Sequence, residues 1–447
     1  MMALVLVVYW FLGYSMMSFL GKDFNIPFKI GVSMLVGLGM NAFWMFACDI
    51  LHFPIHLYLL LGLSMALAAL LSFKNKEVFK EDWSALQNTQ IGFGQVNFSW
   101  LFFFFVLCYM VYAISQKGLF WPITEYDSVA GYDYMAKMIA AEQKIKVSLF
   151  EYSIDSGTMA RFIYPPLVAT SYALPYLCGM AMSKIMSIVY FVSLLFGFYG
   201  CLRYYTTHLA AIVGTLFMAA TPEMFSHAAL GLTNLPNAAY ASIALISFFI
   251  WTEKKTKSWL VLSAVMMAFT LFSRSDSIVF ALAVLVWLAY YSFKHKNITQ
   301  ITTYAALSLF LFLAWMGYLK FVIHSNSGDF FEKTLFWDAE KFDKILGYIA
   351  DFLVWENQFY GIGFWLFYLV LALNYKTLRK DMTVFLVVGF MAWLFYTALY
   401  YQMNYKVASL DMFMKASYKR GMFCFVPLIW FYIMANKKSL WLFQRFI

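Results

Sequence analysis

Apolar runs of about 16–24 residues recur from one end of this 447-residue chain to the other, each long enough to cross a hydrocarbon core of about 30 Å as a helix. Inside lipid every backbone N–H and C=O must be bonded internally, which leaves helices or a closed barrel. These runs are continuous and do not alternate, so the reading is an all-α polytopic membrane protein with about thirteen transmembrane helices. Composition supports it: 63% of the residues are hydrophobic and 12% charged, too apolar for a soluble domain. The expected spans are 3–20, 28–50, 54–73, 98–115, 184–202, 209–221, 237–252, 258–273, 276–293, 300–322, 353–374, 382–402 and 421–437.

Basic residues in the short loops set the expected sidedness. One side receives Lys22 and Lys29, then Lys74, Lys76 and Lys80, then Arg203, then Lys254, Lys255 and Lys257. Lys294 and Lys296 follow, then Lys376, Arg379 and Lys380, and finally Lys437, Lys438 and Arg445. That side is taken as cytoplasmic, in a cell (inner) membrane. Residues 116–183, 222–236, the 274–276 corner, 323–352 and 403–420 then face out. The apolar segment 163–183 contains Pro165, Pro166 and Pro175, which interrupt a helical ladder. Counting it as a crossing would separate Arg203 from the Lys254 group, so it is expected to be re-entrant or interfacial. Two parts are anticipated: an N-terminal three-helix extension with a cytoplasmic loop, 1–97, and a catalytic domain, 98–447, with its outer loop at 116–183.

The net charge of +9 does not point to nucleic acid, because no basic cluster is interleaved with exposed aromatics and the lysines follow topology. Cys48, Cys108, Cys178, Cys201 and Cys424 lie in or beside apolar runs without CxxC spacing and read as packing residues.

The polar exception is the first outer loop, which carries Glu125, Asp127, Asp133, Lys137, Glu142, Glu151, Asp155 and Arg161 before Tyr164-Pro165-Pro166. Tyr132, Met135, Ala136 and Ile139 follow helical spacing, which predicts an amphipathic helix on the outer membrane face. Asp127 precedes it as a helix cap, a role compatible with catalysis. Asp133 falls about 120° further around a continuous helix, so a paired-carboxylate site is only weakly supported. A divalent cation (Mg or Mn) needs several oxygen ligands; Glu125, Asp127, Glu223 and His227 are the candidates. His227 also reads as a histidine at a membrane edge, and Asn234 as a helix start. Arg274 and Asp276 form a charged corner between two apolar runs, either a structural ion pair or a functional one. Lys415, Lys419 and Arg420 lie outside the last span against the positive-inside trend, where they suit a phosphate or a lipid headgroup.

Taken in order, these residues resemble the GT-C superfamily of integral-membrane glycosyltransferases that use polyprenyl-phosphate sugars, such as protein O-mannosyltransferases and aminoarabinose transferases. The motifs that carry the resemblance are Tyr126-Asp127-Ser128-Val129 with Ala136-Lys137, Tyr164-Pro165-Pro166-Leu167, Thr233-Asn234-Leu235-Pro236 and Ser273-Arg274-Ser275-Asp276. They cover roughly 98–300 well and the last third loosely. The resemblance implies inverting transfer from a polyprenyl-phosphate sugar donor to a glycan, lipid or protein acceptor, with Asp127 as general base. The leaving phosphate would meet Arg420 with Lys419 or Lys415. Glu125, Asp133, Lys137, Tyr164, Asn234, Arg274 and Asp276 would complete the substrate site. Two positions depart from the family pattern: Asn234 stands where several such enzymes have a metal-holding Asp, and Asp276 where the pattern has Glu. A transporter or flippase, or a non-catalytic scaffold of the same fold, are the other readings. The first is disfavoured because no repeat halves are visible; the second is kept open by Asn234.

Overall fold

The structure, a computed structural model, describes residues 1–88, 98–150, 164–324, 337–376, 382–403 and 409–436. Glu151, Asp155 and Arg161 lie outside them. The described residues are helical throughout, without strands, and divide into two compact units.

The first unit holds residues 1–162, 166–219 and 225–239. Helix α1 (Met2–Leu20) and helix α2 (Ile26–Ile50) pack backbone to backbone. A Cβ at Gly37 would run into the Tyr9 carbonyl, and one at Gly13 into that of Ser33. Small residues allow this approach, which supplies van der Waals contact where lipid removes the hydrophobic drive. The α2 start is set locally: the Asn25 side chain accepts from the Phe28 N–H at 2.9 Å, and Pro27 follows in the first turn. Helices α3 (Leu57–Lys74) and α4 (Lys76–Asn88) complete the N-terminal group. Lys29, expected in a cytoplasmic loop, instead lies inside α2, 1% exposed, because Asp82 of α4 meets it at 2.6 Å and also accepts from Tyr14 at 2.7 Å. A charge so buried is tolerable only when paired.

Next come α5 (Phe98–Phe120), a π-helical turn at Ser128–Tyr132, α6 (Asp133–Glu142), α7 (Leu167–Leu177) and α8 (Ile185–Leu202). The first unit does not stop at residue 97, since α2 packs on α8, with Gly200 directly over the Phe28 backbone. Met135, Ala136 and Ile139 are buried as their spacing predicts, but the face they form packs on α7, not on lipid alone. Helix α7 occupies the 163–183 segment. Its eleven residues span about 16 Å, too little to cross, and Pro175 lies in its last turns. Helix α9 (His208–Ala220) follows, and then α10 (Asn234–Lys254), of which residues 234–239 belong to this unit and the rest to the second.

The second unit holds 163–165, 220–224 and 240–447. It contains α11 (Lys257–Ser273), α12 (Ile278–His295), α13 (Thr299–Tyr318), α14 (Ala339–Ala350), α15 (Gly363–Leu373), α16 (Thr383–Tyr401) and α17 (Val426–Ala435). Among the described residues nine helices are long and apolar enough to cross a membrane, and four more are apolar but shorter. The expected count of about thirteen full spans is therefore not reached. The 353–374 span breaks at Gly361, whose φ is +57°. The 421–437 span is a chain of short turns, Lys419–Met422 and Phe423–Phe425, leading into α17.

Candidate functional site

In the first unit the acidic motif sits on the π turn. The helix enters at Tyr126, with the Glu125 carbonyl accepting from the Ser128 and Val129 N–H groups at 3.0 and 2.9 Å. Asp127 stands just before the π turn with helical dihedrals and makes no side-chain cap bond; the helical bonding already begins at the Glu125 carbonyl, two residues earlier. Asp127 remains half-exposed, while Ser128 beside it is fully buried. The Ser128 hydroxyl donates to the Gly231 carbonyl at 3.0 Å. One residue on, the Leu232 carbonyl accepts from Tyr172 at 3.0 Å. These two bonds clamp the loop that delivers Thr233 and Asn234, both buried, so the fold brings the Asp127 motif and the Asn234 motif together. Gly231 needs its glycine: its φ is +73° and a Cβ would press on Ser128 Oγ at 3.2 Å.

Asp133 is 2% exposed and accepts from the Tyr176 hydroxyl and from Ser183 Oγ, with Lys137 at 2.9 Å. Burial and then the bond to Asp133 raise the Tyr176 phenol. The π turn moves Asp133 off the angle that a continuous α-helix would give it relative to Asp127, and the side chain ends in the protein interior as an anchor for α7.

Sequence reasoning missed Lys184. It is 3% exposed and donates to the carbonyls of Trp121 and Pro122 at 3.2 and 3.3 Å. Those carbonyls, just beyond the end of α5, are where an ammonium is favoured. Burial holds Lys184 below the usual lysine value and Lys117 pushes the same way, while Glu125 opposes them. The only signal in the sequence was a lysine on the expected outer side next to an apolar run.

In the second unit Arg274 is 8% exposed. Its Nε and a terminal nitrogen donate to the two Asp276 oxygens at 3.0 and 2.7 Å, a bidentate fork. The guanidinium lies 5.5 Å over the Tyr164 ring, which unites the Tyr-Pro-Pro-Leu motif with the charged corner. Tyr396 and Tyr400 are joined at 3.1 Å, the Tyr396 hydroxyl donating. Tyr400 reaches Ser417 at 2.7 Å, and the Tyr396 hydroxyl occupies the place where a Gly421 Cβ would be. Lys415, Ser417, Lys419 and Arg420 are carried on a second π turn, Met414–Tyr418, and the helical turn after it. Lys419 meets Glu223 at 3.4 Å, both largely buried, and stacks 3.5 Å from the Phe359 ring centroid. Lys415 is exposed and lies over Tyr348 at 5.7 Å. Arg420 is half-exposed.

Among the described residues no three His, Cys, Asp or Glu side chains converge as metal ligands. The candidates Glu125, Asp127, Glu223 and His227 form no such group; Glu223 faces an ammonium, and His227 is 4% exposed. Among the described residues these candidates do not assemble a carboxylate cage of the kind that holds Mg or Mn.

Also in the second unit, an apolar groove of about 610 Å³ runs between α10, α15, α16 and α17, with Phe248, Phe367, Trp393, Met422 and Phe425 in its walls. Met422, one of its lining residues, follows Arg420 by two positions in the chain.

Residues 178–318, less than a third of the chain, match the dolichyl-phosphate-mannose-protein mannosyltransferase family. The match includes Lys184, Glu223, His227, Asn234, Arg274 and Asp276, and leaves Asp127, Tyr164 and Lys415–Arg420 outside. No curated protein and no solved structure matches the chain. The similarity to that family is confined to residues 178–318, and the apolar helices around it are those of a multi-pass membrane protein.

Proposed function

We propose that the chain transfers a sugar, with inversion, from a polyprenyl-phosphate donor to a hydroxyl of a glycan, lipid or protein at the outer face of a cell membrane. The observation that carries this reading is the family match across the Asn234 turn and the Arg274–Asp276 corner, two motifs that the sequence order had already singled out.

Asp127 takes the proton from the acceptor hydroxyl as its oxygen attacks the anomeric carbon. The bond from that carbon to the phosphate oxygen breaks on the opposite face, and its electron pair leaves with the phosphate. Support for Asp127 is its partial exposure beside fully held neighbours: Ser128 on Gly231 and Asp133 on Tyr176 and Ser183. A carboxylate on so fixed a turn is pre-positioned, which is where much of a base's efficiency originates. In the second unit, Arg420 is the group suited to a phosphate, since a guanidinium matches phosphate oxygens two at a time. Lys415 adds a second cation. Lys419 adds less, because Glu223 already shares its ammonium. Glu125, Lys137, Tyr164 and Asn234 shape the surroundings, and no step is assigned to a metal ion. The isoprenoid tail lies in the apolar groove of the second unit, whose lining includes Met422 and Phe425.

The test is transfer of labelled sugar from membrane polyprenyl-phosphate donors, with wild type and Asp127→Asn compared in the same lipid. A fall of at least about 100-fold is expected for loss of a general base. Equal rates would remove Asp127 from the mechanism.

A further inference from the structure

The turn between α10 and α11 reads Trp251-Thr-Glu-Lys-Lys-Thr-Lys, and the end of α12 reads Tyr290-Tyr-Ser-Phe-Lys-His-Lys. In sequence these are two separate short basic loops. The fold joins them. Trp251, Trp287 and Tyr291 form a three-ring box, with Trp287 and Tyr291 stacked at 5.3 Å and Trp251 within 5.7 Å of Tyr291. The Lys255 ammonium sits on this box, 4.5 Å from the Tyr291 centroid and 4.8 Å from that of Trp251. The other face of the join is His295, whose ring is 4.2 Å from Tyr291.

Both turns end in a left-handed residue that is not glycine: Lys255 at φ +58° and Lys296 at φ +51°. Glycine is the default at such a position, and lysine stands there in both. The two stretches carry five lysines (254, 255, 257, 294 and 296) and His295 against a single acid, Glu253. Beside them Tyr290, Phe293 and Ile298 are among the most exposed large side chains of the unit, at 62, 88 and 69%.

We infer that the joined ends of α10 and α12 bind the phosphate of an anionic phospholipid. The lysines supply charge, each worth about as much as any basic residue near a charged bilayer surface, and the aromatic box fixes one ammonium in place where it can be shared between ring and phosphate. The exposed Phe293 and Ile298 give a membrane-embedded partner its acyl contact, which a soluble phosphate has no means to use. This site is independent of the sugar-transfer chemistry, as none of its residues belongs to the acidic or basic clusters described above.

The test uses the full chain in detergent with phosphatidylglycerol or phosphatidylcholine added, and native mass spectrometry to count bound lipid. The triple variant Lys254→Gln, Lys255→Gln and Lys294→Gln is compared with Lys74→Gln, Lys76→Gln and Lys80→Gln, a control that removes the same charge elsewhere. Phosphatidylglycerol retention should fall at least threefold in the first triple and stay within experimental scatter in the second, and phosphatidylcholine should bind weakly to all three proteins. Equal loss in both triples, equal binding of the two lipids, or no loss in the first triple each overturns the inference. Inorganic phosphate at the same concentration should leave the melting temperature unmoved; stabilisation by phosphate equal to that by phosphatidylglycerol assigns the site to a free anion and overturns the lipid assignment. Lys255→Gly gives a second handle, because it suits the left-handed backbone and removes the whole side chain from the aromatic box: lipid retention should fall while the protein still folds.

Discussion

Around Asp127 the first unit fixes its polar groups with hydroxyl-to-carbonyl bonds, Ser128 to Gly231 and Tyr172 to Leu232, each 3.0 Å long. Around Arg274 the second unit uses charge and rings: a forked pair to Asp276, the Tyr164 face at 5.5 Å, and the Glu223–Lys419 pair. The contrast has a chemical logic. A base loses its basicity if a cation is built beside it, so the acidic half is best held by neutral groups that fix the backbone. A cluster of cations at membrane depth is unstable without partners, so the basic half carries its own carboxylates. Both halves share one device, a π turn next to the residues of interest, and such turns are frequent at functional sites.

Five substitutions would break or sharpen this comparison. The largest effect is expected from Asp127→Asn, which should abolish nearly all sugar transfer, by about 100-fold or more, read together with the melting temperature of the same protein. A melting temperature that falls along with activity would instead give Asp127 the kind of role that Asp133 has. Arg274→Ala removes one arm of the forked pair and leaves Asp276 without it; about 2–4 kcal/mol of stability should go, at the lower end because Asp276 is partly exposed. Thermal unfolding in detergent reads this, and Arg274→Ala with Asp276→Ala should recover part of the loss.

Gly421→Ala places a methyl on the Tyr396 hydroxyl and should cost about 1–3 kcal/mol by overpacking. The methyl would also meet the ring carbons Cζ and Cε1, so Tyr396→Leu, which removes the ring, should restore part of it in the same chain, and a double variant no better than the single one would show that the contact is not what matters. Ser128→Ala deletes one buried hydrogen bond, worth about 1 kcal/mol, while its effect on transfer should exceed its effect on stability if the clamp on Gly231 positions Asp127. Smallest is Glu142→Gln. Glu142 accepts from the Ser148 N–H and hydroxyl at 2.9 and 2.6 Å; partial burial opposes its ionisation, but these bonds and Lys144 win and hold its carboxyl below the usual range. A carboxyl lowered on folding adds stability above its unfolded value and loses it as pH falls through the folded one. The variant should therefore melt slightly lower at neutral pH, and the gap should close in acid.

What could be read without the fold followed from length and sign. Runs long enough for a bilayer force helices, because lipid leaves the backbone no other partners, and the polar exceptions among them marked Asp127, Tyr164, Asn234, Arg274 and Arg420 before any contact was known. The errors came where neighbours in space outweighed neighbours in sequence. Lys29 looked like a loop lysine because Asp82, its partner, is 53 residues away. Asp127 looked like a cap because the π turn that follows it leaves no periodic trace. Lys184 drew no notice, since only the approach of the α5 carbonyls gives a buried ammonium its role.

The sequence by itself determined an all-helical membrane chain and the short list of its chemically capable residues, since both depend on local composition and bilayer thickness. Tertiary structure alone decided which of those residues meet: Ser128 with Gly231, Tyr164 with Arg274, Lys419 with Glu223, Lys255 with Tyr291. Such pairings depend on how helices cross, and crossing is set by packing between side chains far apart in the chain.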